Sequence, residues 1–371
     1  MSHACVLALD TIFKRKGETM KPIVCETRTA IINAAHDAQI VIRPIHDLGE
    51  HDVLIKILSC NLCTSEYGLW SGARTNKPLP MTFGHEWAGE IIQVGERVSG
   101  LAVGDFVGGS YTFDPYSTEA LEGRTSEAPG VKPYDTQWPD GYYGRYDGCA
   151  EYLVQSQESI YAFENKIRPS EAGFLEPLAT VINGIKKLDI KKGETVVVVG
   201  GGTMGVLNAL VAKQKGARVI VSELMEKKIR VAEQLGLEVI DGSKVDPVEE
   251  VRACTDGRGA DTVILAVAAT AANKQGFAML KKLHGKVLMF AAGYPAPELG
   301  VDANKIHYGK MQIFGTFLGE FADFKESCHL LGSGEIDVSP LIDKEYPFDQ
   351  IQQAFENAII PGGYRTTVVM Q

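Results

Sequence analysis

Cys63, His85, Glu86 and Glu176 offer a thiolate, an imidazole and two carboxylates. Those donor types suit a zinc site that keeps one position open for water or substrate. The His-Glu pair follows the cysteine by 22 residues. All four residues lie outside the six-strand stretch that reads as nucleotide-binding, in the part of the chain that must face the cofactor. That stretch opens with Val196-Val-Val-Val-Gly200-Gly-Gly202-Thr203-Met204-Gly205. Four β-branched residues read as a strand buried on both faces. The run then breaks into Gly-x-Gly-x-x-Gly and a helical pattern, with a tight turn at Gly200, close approach to a pyrophosphate at Gly202 and close helix–strand packing at Gly205. Free N–H groups at the helix start would face the bound anion, and Met204 is placed to pack behind a nicotinamide. Glu223 ends the next strand, 18 residues past Gly205, where a carboxylate bonds a ribose 2′-hydroxyl and repels a 2′-phosphate. The expectation is NAD rather than NADP, with nearby Lys227 and Lys228 weighing the other way. The plainer readings are a Gly-rich structural turn and a solvated acid at a strand end.

The elements that must position these residues fall into two kinds. From 29 to about 160, short apolar alternations cut by Gly and Pro read as strands of an all-β domain, including 52–57, 89–94, 105–107 and 150–154. A helix begins at 170, with Ser170 as cap, and Pro177 interrupts its pattern. Six strand candidates (196–199, 218–222, 237–240, 262–267, 286–290, 312–316) then alternate with helices at 203–215, 225–235, 247–254 and 273–283. Such alternation calls for a parallel sheet wound on both faces. The tail adds two helices and a strand from Arg365, expected to return to the first domain. The expected division is an N-terminal extension over 1–28, a catalytic domain over 29–175 and 320–371, and a nucleotide domain over 176–319. A targeting role for the basic cluster Lys14-Arg-Lys16 fits poorly with the nearby Asp10 and Glu18.

With 371 residues, two domains are the natural expectation. A net charge of −10, from 37 basic and 47 acidic residues, speaks against nucleic acid or an anionic membrane surface as partner. No apolar span is long enough to cross a bilayer and no secretory signal appears. Seven scattered cysteines do not make a disulfide framework, which points to a reducing cytoplasm. Cys60 stands three residues before Cys63, but period-two reading puts it in a strand core.

Together these residues resemble the zinc-dependent medium-chain dehydrogenases of the alcohol dehydrogenase superfamily, sorbitol (polyol) dehydrogenase-like members in particular. The matching stretches are Asn61-Leu-Cys63-Thr-Ser65-Glu66, Gly84-His85-Glu86-Trp-Ala-Gly89, Val103-Gly-Asp-Phe-Val107, Gly148-Cys-Ala-Glu-Tyr152, Leu175-Glu176-Pro-Leu178 and Gly200 through Gly205, in order over about 29–371. The resemblance implies an α/β chain: a chaperonin-10-like β catalytic domain plus a Rossmann domain with a doubly wound, six-stranded parallel sheet. It implies Zn2+ and NAD as cofactors, a small alcohol or ketone as substrate, and a homodimer or homotetramer. By position, Cys63 and His85 are zinc ligands, Glu86 a ligand or its close neighbour, and Glu176 a further, exchangeable ligand. Ser65 bonds the substrate oxygen, and Glu66 orients the zinc histidine through its other ring nitrogen. Thr180 falls beside the nicotinamide, Trp70 lines the substrate pocket, and Arg365 sits near the pyrophosphate.

The chain also departs from that pattern. Many relatives hold a structural zinc in a four-cysteine lobe, whereas 108–147 here contains no cysteine, so one catalytic zinc and no structural zinc are expected. Aromatic residues stand there instead: Tyr111, Phe113, Tyr116, Tyr134, Trp138, Tyr142, Tyr143 and Tyr146. They read as a packed loop or subunit contact, or as a lid stacking on a sugar face. Gly68 replaces a histidine that relays protons, and 317–319 lacks a substrate-binding arginine. The expected reaction is hydride transfer between NAD(H) and a secondary alcohol or ketone, a polyol or sugar-derived alcohol foremost. Threonine-like amino alcohols, simple alcohols, a zinc-free quinone or enoyl reductase, and a non-catalytic NADH sensor or scaffold are the alternatives.

Overall fold

A computed structural model describes residues 19–131, 136–144 and 146–370. The basic cluster 14–16 and Tyr134 lie outside the described residues. The chain forms two compact units. One takes in the chain to Glu176, Glu320–Ile360 and the chain from Arg365; the other is Pro177–Gly319 with Pro361–Tyr364. Among the described residues no helix is long and apolar enough to cross a membrane.

The second unit holds a six-stranded sheet whose order is Glu238–Asp241, Arg218–Glu223, Thr195–Val199, Thr262–Leu265, Lys286–Met289 and Gln312–Gly315. Every neighbouring pair is parallel. Strands are added outward in both directions from Thr195–Val199, so the sheet reverses its winding there and opens a crevice at the carboxyl ends. Val196, Val197 and Val198 are fully buried, as a continuous β-branched run between two helical layers requires. Helix Thr203–Gln214 follows at once. A Cβ on Gly205 would lie 1.8 Å from the Gly200 carbonyl oxygen, so only glycine lets this helix seat so close to its strand. Helix Ala303–Gly309 escapes the sequence reading because it is a single short segment with little apolar periodicity.

The first unit is mainly antiparallel β. Its largest sheet centres on strand Asp52–Leu62, flanked by Glu86–Val94 and Arg365–Val369. Tyr152–Ser156 pairs with the early part of the same strand. Ile55, Ile57, Leu62, Trp87, Ile91, Val107 and Phe355 form its core. The first strand runs Glu26–Ala34, three residues earlier than Thr29, and Met20 pairs with Leu48. The described end of the expected extension is thus part of the sheet system. The helix expected from Ser170 is two helices. A short Pro169–Ala172 precedes Leu175–Leu188, and Pro177 sits in the first turn of the second, where no intrahelical N–H is needed. It therefore helps start the helix and does not interrupt it.

The cysteine-free segment is fastened by oxygen and nitrogen. The Glu320 carboxylate accepts from Ser126 N at 2.9 Å, Ser126 Oγ at 2.7 Å and Thr125 Oγ1 at 3.1 Å. Glu320 also caps helix Phe321–Gly332. Tyr111 and Phe113 are buried against Phe324 and Phe321, while Tyr116 is exposed.

Candidate metal centre

Strand register builds this site. Asn61 pairs with Glu86 on one side of strand Asp52–Leu62, and Leu62 pairs with Thr366 on the other. One step further along, this register brings His85 beside Leu62 on one side and Arg365 beside Cys63 on the other. Cys63 is the N-cap of helix Thr64–Trp70, and its side chain accepts from the Glu66 N–H while Glu66 Oε2 accepts from Cys63 N at 3.1 Å. This reciprocal capping fixes the thiol and turns the Glu66 carboxylate back toward the strand end. Asn61 braces the floor, donating to Ser170 O at 3.1 Å and accepting from Thr367 Oγ1 at 2.6 Å.

Two overlapping donor groups share His85: Cys63, Glu66 and His85, and His85, Glu86 and Glu176, each with ligand atoms within 4.8 Å of one another. Sulfur, ring nitrogen and carboxylate oxygen converging at that spacing fit the donor set of a zinc ion. The carboxylates differ in how far the protein already uses them. Glu66 Oε1 lies 2.7 Å from His85 Nδ1, a charge contact rather than an aligned hydrogen bond. Glu66 Oε2 also accepts the Ser65 hydroxyl at 2.9 Å. Glu86 is gripped by Arg365, with Nε donating to Oε2 at 2.7 Å and Nη2 to Oε1 at 2.6 Å.

Charge at the site is balanced in pairs. Burial pushes the His85 imidazole down, but the Glu66 charge and the contacts with Cys63 and Glu66 outweigh it and hold the ring well above its ordinary range. Burial pushes Glu66 up, and His85 and Ser65 together bring it below the usual carboxylate range. Arg365 loses solvation, yet the charges of Glu86 and Cys63 keep it firmly protonated.

Cys63, Ser65, Glu66, His85, Glu86, Glu176 and Arg365 all belong to the first unit. Two expectations are corrected within it. Arg365 does not present its guanidinium to a pyrophosphate. It is 4% exposed, both its inner nitrogens are spent on Glu86, and Nη2 reaches Cys63 Sγ at 3.7 Å. Strand pairing with 52–62 turns it inward. Trp70 does not line a pocket. It is 2% exposed, its ring stacked on Phe355 at 5.5 Å and 12°, because its helix buries that face in the core. Cys60 is a buried core thiol, as its period-two position indicates.

The second unit carries a separate constellation. Glu223 Oε2 accepts from Gly201 N at 2.6 Å, and Oε1 accepts from Leu224 N at 2.7 Å and Met225 N at 2.9 Å. The Tyr364 hydroxyl donates to Gly201 O at 2.9 Å, a brace on the glycine loop that no local motif announced. Lys228 Nζ lies 3.8 Å from where a Gly202 Cβ would be, so a cation stands over the turn. Thr203, Met204 and Gly205 form the first turn of helix Thr203–Gln214. Thr180 lies on helix Leu175–Leu188.

Comparison with known proteins shows the family to which the chain belongs. Residues 49–165 match the alcohol dehydrogenase GroES-like domain and residues 202–333 the zinc-binding dehydrogenase family. A sorbitol dehydrogenase of Halalkalibacterium halodurans is 32% identical over 83% of this chain and 88% of its own. An L-threonine 3-dehydrogenase of Bacillus subtilis is 28% identical over 84% and 89%. Among solved structures, an oxidoreductase/dehydrogenase of unknown specificity from Escherichia coli superposes with a TM-score of 0.83 at 26% identity, over 93% of this chain and 99% of that one.

Proposed function

Because the chain belongs to the zinc-type medium-chain alcohol dehydrogenases, oxidoreductases that use zinc and NAD(P), we propose that it moves a hydride between NAD(H) and a secondary alcohol or ketone, a polyol or sugar-derived alcohol foremost. The observation that carries this reading is the pair of donor groups that meet at His85, Cys63 with Glu66 in one and Glu86 with Glu176 in the other, beside a Ser65–Glu66–His85 chain of contacts. Cys63, His85 and Glu176 would hold the zinc, and Glu86, already neutralised by Arg365, is the less available carboxylate. Bound there, zinc supplies the Lewis acidity that makes an alcohol give up its proton near neutral pH.

The chain's own residues do the rest. Glu66 fixes the ring of His85 from its Nδ1 side, leaving Nε2 for the ion. Ser65 takes the alcohol proton, and its hydroxyl hydrogen already points to Glu66 Oε2. The carboxylate orients that hydroxyl, and with Gly68 in place of a relay histidine the proton passes from Ser65 to water or the cofactor ribose. Gly200, Gly202, Thr203, Met204 and Gly205 cradle the dinucleotide, and Thr180 meets its nicotinamide. Glu223 favours NAD: its carboxylate is held rigid by three backbone amides and would repel a 2′-phosphate.

A second reading, a threonine-like amino alcohol as substrate, draws on the similarity to the Bacillus subtilis threonine dehydrogenase. We place the protein in the cytoplasm, consistent with its scattered free thiols. We also expect a homodimer or homotetramer, consistent with strand Gln312–Gly315, which among the described residues pairs with Lys286–Met289 alone. The test is zinc analysis of untagged protein alongside an NAD-coupled screen of diastereomeric polyols, sugar acids and amino alcohols. One zinc per chain and turnover of a polyol are expected. A metal ratio near zero with chelator-insensitive activity overturns the reading.

A further inference from the structure

Tyr146 comes from the cysteine-free segment, and its ring centroid lies 5.4 Å from that of His85 at 39°. Backbone pairing delivers it there. Tyr143 N donates to Pro80 O and Thr82 N to Tyr143 O; further on, Gly148 N donates to Gly84 O and Cys149 N to Phe83 O. Tyr143, Gly148 and Cys149 are therefore paired along 80–84, the run that leads directly into His85. A Cβ on Gly148 would lie 2.1 Å from Trp87 Cδ1, so glycine sets how closely the two stretches meet.

The segment is held on both sides of Tyr146 by one buried cation. Arg43, 6% exposed on strand Asp37–Pro44, donates from Nε to Asp140 Oδ2 at 2.6 Å and from Nη2 to Asp140 Oδ1 at 3.3 Å. Its Nη1 lies 3.1 Å from Asp147 Oδ1, and the guanidinium sits 5.6 Å from the Tyr142 ring centroid. A guanidinium taken out of water needs carboxylates in fixed places, and here both come from the segment that carries Tyr146. Glu66 meets the Nδ1 edge of His85 and Tyr146 meets its ring, so the imidazole is restrained in two directions.

We propose that Tyr146 is a positioning residue for His85, pressed against the imidazole by Arg43 through its grip on Asp140 and Asp147. The proposal rests on the reading that His85 holds zinc. Groups that orient a ligating imidazole are worth about 10–100-fold in metal affinity, which sets the scale of the effect.

The test is zinc affinity of the full chain, measured by competition with a chromophoric chelator. Tyr146→Ala is expected to weaken zinc binding about tenfold, while Tyr146→Phe, which keeps the ring, restores it to within about twofold. Arg43→Met is expected to lose a similar factor, and the Arg43→Met/Tyr146→Ala double variant no more than the larger single loss, because both act through one contact. Cobalt(II) loaded in place of zinc should show shifted ligand-field bands in Tyr146→Ala and not in Tyr146→Phe. Asp147→Asn takes the place of Arg43→Met should the latter fail to fold. Wild-type zinc affinity in Tyr146→Ala, or losses that add in the double variant, overturns the proposal alone. Wild-type protein that takes up no zinc removes the functional reading and this inference with it.

Discussion

Glu66 links Ser65 to His85, with Oε2 accepting the serine hydroxyl at 2.9 Å and Oε1 2.7 Å from the imidazole Nδ1. One carboxylate thus meets both the proton acceptor and the metal-holding ring. The two jobs separate by mutation. Ser65→Ala is expected to cut kcat by about 10²–10⁴-fold with zinc content intact. Glu66→Gln is expected to lower zinc affinity by about 10–100-fold as well as kcat. Steady-state kinetics beside metal analysis distinguishes them, and equal zinc loss in both variants would contradict the division.

Arg365 and Glu86 form an ion pair that is buried on both sides, 4% and 1% exposed. Removing the cation leaves a carboxylate in the core. Arg365→Met is expected to cost about 3–5 kcal/mol of stability, read as a lower urea midpoint. Adding Glu86→Gln to it should recover part of the loss, because the stranded charge is then gone.

Glu223 organises the glycine loop through Gly201 N as well as standing ready for a ribose. Glu223→Ala is expected to weaken NADH binding by about tenfold or more, the value of one or two hydrogen bonds to a charged group. Binding of NADPH should fall less. Fluorescence titration with both coenzymes measures the ratio, and an unchanged ratio would refute the role.

Asp261 gives the fold a pH dependence away from the site. Burial pushes its carboxyl up, but the Lys281 ammonium at 2.7 Å and the Thr195 N–H at 2.8 Å outweigh that and hold it below the usual range. A lowered folded value stabilises above the unfolded value, near 4, and the gain is lost as pH falls through the folded one. Asp261→Asn should therefore be less stable than wild type at pH 7. The gap should close below about pH 4, as followed by urea unfolding at each pH.

Glu320→Ala removes three hydrogen bonds to Thr125 and Ser126 and a helix cap. The expected cost is about 1–3 kcal/mol. Limited proteolysis should cut faster within 111–131, with the nucleotide unit unaffected.

Much of this organisation is visible in the residues themselves. The valine run, the glycine triplet and Glu223 mark the crevice of the parallel sheet because strand period, turn chemistry and acid spacing are all local. Cys63 and His85 are legible as donors for the same reason. The roles of Arg365 and Trp70 are not, because they depend on pairing across the sheet. Arg365 is turned onto Glu86 by a register that joins residues about 300 apart, and Trp70 points into a core built partly from helix Ile351–Ala358. Arg43 left no signal for similar reasons: its carboxylates stand about 100 residues downstream, in a segment whose aromatic content draws the eye first.

The Glu320 stitch is made of carboxylate, hydroxyl and amide groups, none of them a thiol. Neither a chelator nor an oxidant of thiols has a target in those three bonds, so stripping the metal should leave this fastening in place.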